Sequence, residues 1–345
     1  MNPDFERYNC QIALPSFGEN SQQLLQNAKV MIVGMGGLGC PAAQYLVSSG
    51  VGTIALVDDD VVSVSNLHRQ ILYSPEDVGK SKVDIAAKRL TAQNPDIKIV
   101  SINKRIDSQN VLELIEEYDL IIEGTDNFET KYLLNDACVL AKKPLVYGAI
   151  FQFEGQVSVW NVEQIDGNFS PNYRDVYPDI ASHHIPNCRE GGVLPALAGM
   201  VGCMQAGEAI KYLTKSADLF AGKLWMIDMR SGKTQVIKLP KYTSTHIVSL
   251  QESVKQISFK DFNENSDDFE LIDVRSSEEH SNENIGGKNI KPENLKDFIS
   301  SNQVKKSLVL YCQSGKRSSA AAVLIQKEFP QLDIYSLRGG IQDSK

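Results

Sequence analysis

Short apolar runs recur at a regular interval through the first half of this chain. Residues 28–33, 53–57, 98–102, 119–122 and 144–148 are rich in Val, Ile and Leu, the pattern of strands buried on both faces. Between them lie helical stretches at 41–49, from 79–82 to about 93, at 111–117 and at 129–141. Strand and helix in alternation predict an α/β fold with a parallel sheet. Residues 155–160 instead alternate apolar and polar, as an antiparallel strand does, so the sheet is expected to be mixed. A long irregular stretch, 166–195, precedes a small-residue helix at 195–213 and strands at 223–229 and 234–239. Residues 241–256 are polar with little pattern and read as a linker. Two further apolar runs, 269–275 and 307–311, then introduce a smaller α/β unit, with a helix ending near residue 328. The expected division is 1–240, a linker at 241–257, and 258–345.

The chemistry gathers at turns. Gly34-Met35-Gly36-Gly37-Leu38-Gly39 follows the first strand and opens the next helix. In that setting glycines let backbone N–H groups approach a phosphate, and the helix N-terminus favours the anion. Asp58 ends the second strand, where a nucleotide-binding sheet places the acid that accepts ribose hydroxyl bonds. A hydride-transferring enzyme with a nicotinamide dinucleotide rests on these two features alone. It leaves Ser65-Asn66-Leu67-His68-Arg69-Gln70 and Lys82 without a role, and added cations suit a triphosphate better. Asp126, beyond the fourth strand, fits either a magnesium anchor or a helix cap.

Composition narrows the class. A net charge of −8 argues against a nucleic-acid surface. No apolar run is long enough for a membrane span, and the polar start, Met1 to Glu6, offers no signal peptide, so a cytoplasmic location is expected. None of the six cysteines forms a C-x-x-C pair, so no structural zinc site is written here. Cys40, Cys138 and Cys203 lie in helical or apolar runs and read as core filler. Cys188, beside Arg189 in the irregular stretch, suits a reactive thiol. Cys312 opens Cys312-Gln313-Ser314-Gly315-Lys316-Arg317, a strand-to-helix loop whose N–H groups and cations favour a thiolate.

These motifs, in this order, resemble the bacterial branch of the ubiquitin-activating-enzyme superfamily, the sulfur-carrier adenylyltransferases of MoeB/ThiF type. The resemblance runs from Arg7-Tyr8 to about Lys211 and includes the Cys188-x-x-Gly-Gly-Val segment. It implies a Rossmann-like domain in which Gly37, Asp58, Asn66, Arg69, Lys82, Asp126 and Asn127 contact ATP and its Mg2+. With Gly34, Gly36 and Gly39 of the turn, and Ser65, these make up the expected nucleotide site, Asp126 holding the magnesium. It also implies a homodimer, and a partner that is a ubiquitin-like sulfur carrier ending in Gly-Gly, of the molybdopterin or the thiamine pathway. Cys188 falls on a family cysteine implicated in an acyl or disulfide link with that carrier. Two departures stand out. Cys10 occupies the place of a family arginine that reaches the partner protomer's nucleotide, which leaves a non-catalytic docking protein as a rival reading. The family's four zinc-binding cysteines are absent: the first pair's place reads Asn172-Tyr173-Arg174-Asp175, so no zinc is expected and packing is expected to hold that region.

From about residue 258 the chain resembles a rhodanese, through Asp273-Val274-Arg275, Ile285-Gly286-Gly287 and Leu337-Arg338-Gly339-Gly340. Four residues separate Cys312 from Arg317, where related phosphatases have five, and the tighter loop favours a persulfide over a phosphoryl group. The resemblance makes Cys312 the sulfur-bearing residue, with Arg317 in its cradle, loaded by thiosulfate or a cysteine desulfurase. The function expected is carrier adenylation followed by sulfur transfer.

Overall fold

The computed structural model describes residues 3–178, 191–250, 255–302, 304 and 306–344. The chain divides into two compact units, Met1–Gln251 and Glu252–Lys345. The first is built on eight strands: β1 (Lys29–Val33), β2 (Thr53–Val57), β3 (Lys98–Ile102), β4 (Leu120–Glu123), β5 (Leu145–Phe151), β6 (Glu154–Trp160), β7 (Lys223–Asp228) and β8 (Lys233–Lys238). Their order is β3-β2-β1-β4-β5-β6-β7-β8. The first five pair in parallel and the last three antiparallel, so the sheet is mixed.

Burial explains why the early strands are so legible. Val30 and Ile32 of β1 pack into one core, against the helices Gly39–Ser48, Lys82–Gln93 and Pro195–Leu213. Met31 and Val33 pack into another, against Val111–Glu116 and Phe128–Leu140. A strand covered on both faces has no polar side to show. The differences from expectation have local causes. β5 runs on to Phe151 because it pairs with β6 through a two-residue turn at Gln152-Phe153, with Gln152 at φ +52°. The helix expected at residue 41 begins at Gly39, and Pro41, lacking an N–H, is tolerated in its first turn.

At Asn172 to Asp175, where the resemblance puts the first zinc-binding pair, hydrogen bonds add to packing. The Asp175 carboxylate accepts from the Asn172 N–H at 2.8 Å, from the hydroxyls of Thr243 at 2.7 Å and Thr245 at 2.8 Å, and from the Ser244 N–H at 2.8 Å. Residues 243–245, inside the expected linker, are thereby fastened to the first unit.

The second unit is an all-parallel sheet, β11-β10-β12-β13-β9. Its strands are β9 (Lys255–Ile257), β10 (Phe269–Asp273), β11 (Lys288–Asn289), β12 (Ser307–Tyr311) and β13 (Ile334–Leu337). The chain ends its described course in a 3-10 turn, Gly340–Ser344.

Candidate active sites

Each sheet reverses its strand order once, and an open parallel sheet binds its ligands at such a point, beyond the C-terminal ends of the strands. In the first unit the reversal lies between β1 and β4. The glycine turn leaves β1, and Gly124 leaves β4. Gly34, at φ +93°, comes so close that a Cβ there would lie 2.8 Å from the Gly124 carbonyl carbon. A Cβ on Gly39 would meet the Gly34 carbonyl oxygen at 1.9 Å. These two glycines are required by backbone contact. Gly36 differs: a Cβ there would find only the Gln70 amide nitrogen, at 3.6 Å. The Arg69 stem crosses Gly37, 3.5 Å from its would-be Cβ. A Cβ on Gly37 would also meet the Ala198 Cβ at 3.1 Å, so Gly37 is closed in by packing, and Gly36 leaves the backbone-lined space near Arg69 that fits a polyphosphate.

The expected partners surround this space. Buried Asn66 accepts from Arg69 Nη2 at 3.1 Å, and Arg69 Nη1 donates to the Ser65 carbonyl at 3.3 Å. The Asp58 carboxylate accepts the Met35 N–H at 2.7 Å and the Asp60 N–H at 2.9 Å, which ties the glycine turn to the end of β2. Burial pushes the Asp58 carboxyl up from its ordinary range, against the pull of Lys82. Lys82 itself is buried, with Nζ 2.7 Å from Asp60 Oδ2. The cap question resolves by one residue: Asn127, not Asp126, caps the Phe128–Leu140 helix, accepting the Thr130 N–H at 2.8 Å. Asp126 is exposed, with no hydrogen-bond or ion-pair partner among the described residues. An unengaged carboxylate beside a polyphosphate space fits magnesium, which takes one or two carboxylates and keeps phosphate and water oxygens.

In the second unit the reversal lies between β10 and β12. Cys312 follows β12 and is 1% exposed. Gly315, at φ +82°, turns the chain into the helix Lys316–Glu328. A Cβ on Gly340 would lie 2.2 Å from the Cys312 carbonyl oxygen, so the Leu337-Arg338-Gly339-Gly340 segment packs directly on the loop. The Ser318 hydroxyl is 3.7 Å from Cys312 Sγ. Arg317 forks onto Glu279, Nη2 to Oε1 at 2.6 Å and Nη1 to Oε2 at 2.9 Å. That guanidinium holds the Glu279 carboxyl down at about 2. Glu279, and to a lesser degree Cys312 beside it, raises Arg317 above its ordinary value. Cys188 lies outside the described residues.

Two buried ion pairs lie at these reversals, and the sequence did not reveal either pairing, although Asp273 and Arg275 belong to the rhodanese-like motif named above. Glu123, the last residue of β4, pairs with Lys131. Asp273, the last residue of β10, pairs with Arg275 at 2.7 Å, and with His280 Nδ1 at 2.9 Å. Burial alone would raise the Asp273 carboxyl, but Arg275 and His280 bring it below its ordinary range. The available signal was a charged residue at the end of an apolar strand; the pattern of the Phe128–Leu140 helix did not mark Lys131.

Comparison with known proteins agrees with this layout. Residues 8–247 match the ThiF family, and residues 258–345 match the rhodanese-like domain. The probable adenylyltransferase/sulfurtransferase MoeZ of Mycobacterium tuberculosis is 36% identical over an alignment of 359 positions, covering 97% of this chain and 91% of that protein. The sulfur carrier protein adenylyltransferase of Thermus thermophilus is 45% identical over 226, covering 65% and 83%. The adenylyltransferase and sulfurtransferase MOCS3 of Drosophila persimilis is 36% identical over 379, covering 99% and 83%. Among solved structures, Escherichia coli MccB with ATP superposes with a TM-score of 0.60 at 23% identity, covering 70% of this chain and 72% of that one, and shares the fold. The chain therefore belongs to the ThiF family and carries a C-terminal rhodanese-like domain, the organisation of relatives named adenylyltransferase/sulfurtransferase.

Proposed function

We propose that this enzyme uses ATP to adenylate the C-terminal Gly-Gly carboxylate of a ubiquitin-like sulfur carrier of the molybdopterin-synthase small-subunit type, then converts it to a thiocarboxylate. The observation that carries the reading is the pairing, in one chain, of an open glycine turn beside Arg69 with a strand-to-helix cysteine loop four residues short of Arg317. The names of the Mycobacterium and Thermus relatives support it.

The first step sets a carboxylate against the α-phosphorus of ATP, an anion against a polyanion, so its barrier is largely electrostatic. Preorganised donors lower such barriers because they need not reorganise during reaction. Arg69, held by Asn66, and the amides around Gly36 and Gly37 face the phosphates. Lys82 adds charge from the edge of the same site. Asp126 would hold magnesium, which spreads phosphate charge. Pyrophosphate leaves and the carrier acyl-adenylate remains.

In the second step a Cys312 persulfide attacks the acyl carbon. A C–S bond forms, the C–O bond to AMP breaks, and AMP departs. The Cys188 thiolate then attacks the Cys312 sulfur of the acyl disulfide, which releases the carrier thiocarboxylate and leaves a Cys188–Cys312 disulfide. A cellular dithiol reduces that disulfide to two thiols. Thiosulfate or a cysteine desulfurase reloads Cys312. The same chemistry on a thiamine-type carrier differs only in partner.

ATP–pyrophosphate exchange with the purified chain and its carrier tests the first step. Arg69→Ala and Asp126→Ala are expected to abolish exchange. Exchange retained in both variants would remove these residues from the site.

A further inference from the structure

A buried ion pair lies beneath the loop that presents Asp126, and the reaction proposed above gives it no role. Glu123 is fully buried. Its Oε1 accepts two hydrogen bonds from Thr125, the N–H at 2.7 Å and the hydroxyl at 2.6 Å. Its Oε2 pairs with Lys131 Nζ, which also donates to the Gly148 carbonyl at 3.0 Å and lies over the Tyr147 ring. Taking two charges out of water is costly, so such a pair is weak evidence for stability. What this pair visibly does is fix direction. Thr125 cannot turn without losing both bonds to Glu123. On one side of it, the Gly124 N–H donates to the Val33 carbonyl of β1 at 2.8 Å. On the other, Asn127 caps the Phe128–Leu140 helix. Three of four consecutive loop residues are anchored to strand or helix, and the fourth, Asp126, is exposed.

We propose that Glu123, held in place by Lys131, is the positioning residue for Asp126. It grips Thr125 so that the next carboxylate along faces the nucleotide and its divalent cation. Glu123 touches neither substrate nor metal and acts only through Thr125. This proposal rests on the nucleotide reading above.

The test uses the full chain, Mn2+ as probe and AMPCPP as non-hydrolysable nucleotide, with Mn2+ affinity read by electron paramagnetic resonance. Glu123→Asp keeps the charge opposite Lys131 but withdraws the carboxylate from Thr125 by one methylene. Thr125→Val removes the hydroxyl donor at constant shape. Loss of a residue that orients a metal ligand weakens binding on the order of 10-fold or more. Both variants are expected to weaken Mn2+ binding by about that factor, with Thr125→Ser restoring it and metal-free AMPCPP binding changing less than about twofold. A purely structural role would move the melting temperature and leave Mn2+ affinity alone. If Glu123→Asp melts below assay temperature, Thr125→Val and Thr125→Ser carry the test. Unchanged affinity in Thr125→Val and Glu123→Asp, with loss in Asp126→Asn, overturns the positioning role only. Unchanged affinity in Asp126→Asn removes the magnesium reading and this proposal with it.

Discussion

Glu123 in the first unit and Asp273 in the second hold equivalent places. Each ends a strand beside the point where its sheet reverses order, each is fully buried, and each accepts the N–H of the residue two further on. Their cations differ. Lys131 is a point charge that neutralises Glu123 through one oxygen and leaves the other to Thr125. Arg275 takes both oxygens of Asp273, then reaches Gln313 Oε1 in the Cys312 loop at 3.0 Å and the Glu283 carbonyl at 2.6 Å. With lysine the carboxylate grips the neighbouring loop. With arginine the cation itself becomes the strut, because a planar fork can serve several acceptors at once. One arrangement leaves Asp126 open to solvent; the other backs a loop that encloses Cys312.

Removing the cation breaks the comparison most severely. Lys131→Met strands a buried carboxylate, at a cost of about 3–5 kcal/mol, while Arg275→Met leaves Asp273 only His280 and is expected to cost somewhat less. Both tryptophans, Trp160 and Trp225, lie in the first unit, so their fluorescence in urea follows Lys131→Met. Far-UV circular dichroism, less the fluorescence transition, follows Arg275→Met. A loss under about 1 kcal/mol in either would show that its ion pair does not hold the carboxylate in place. Exchanging the cations sharpens the contrast: Arg275→Lys is expected to cost more than Lys131→Arg, since one ammonium cannot span Asp273, Gln313 and Glu283.

The glycine turn separates packing from binding. Gly39→Ala drives a methyl into the Gly34 carbonyl and is expected to cost roughly 1–3 kcal/mol or more. Gly36→Ala is expected to keep stability within about 0.5 kcal/mol while weakening ATP binding, as calorimetry would show. Equal effects of the two substitutions would contradict the division of roles.

Acid produces the smallest effect. The Glu279 carboxyl is depressed from 4.5 to about 2 by Arg317, so its contribution is complete above pH 4.5 and is lost as the pH falls through about 2. Glu279→Gln is expected to flatten the pH dependence of unfolding across that window. An unchanged slope would mean the Arg317–Glu279 fork does not persist in solution.

Much of this was readable before any coordinates, and the reason is burial. β1, β2 and β12 announce themselves because both faces of each are covered, and β3, a half-buried edge strand, through its Ile-Val-Ser-Ile run. β9 and β11 do not, because Lys255-Gln256 and Lys288-Asn289 are short polar edges whose strand character comes entirely from a neighbour. The glycine turn, Asp58, Arg69 and the Cys312 loop were legible through local spacing. Lys131 was not: its partner lies eight residues back, at the end of the preceding strand, and nothing in an amphipathic pattern announces a counter-ion across a loop. The fastening of residues 243–245 to Asp175 was hidden for the same reason, since it joins segments far apart in the chain.

The most direct measurement is the mass of a Gly-Gly-ending carrier after incubation with the full chain, ATP, magnesium, thiosulfate and a dithiol reductant. Two cooperating sites require the carrier to gain the difference between sulfur and oxygen, and to lose that gain when either Arg69 or Cys312 is replaced by alanine. A carrier whose mass never changes, with ATP consumed or not, would contradict the account.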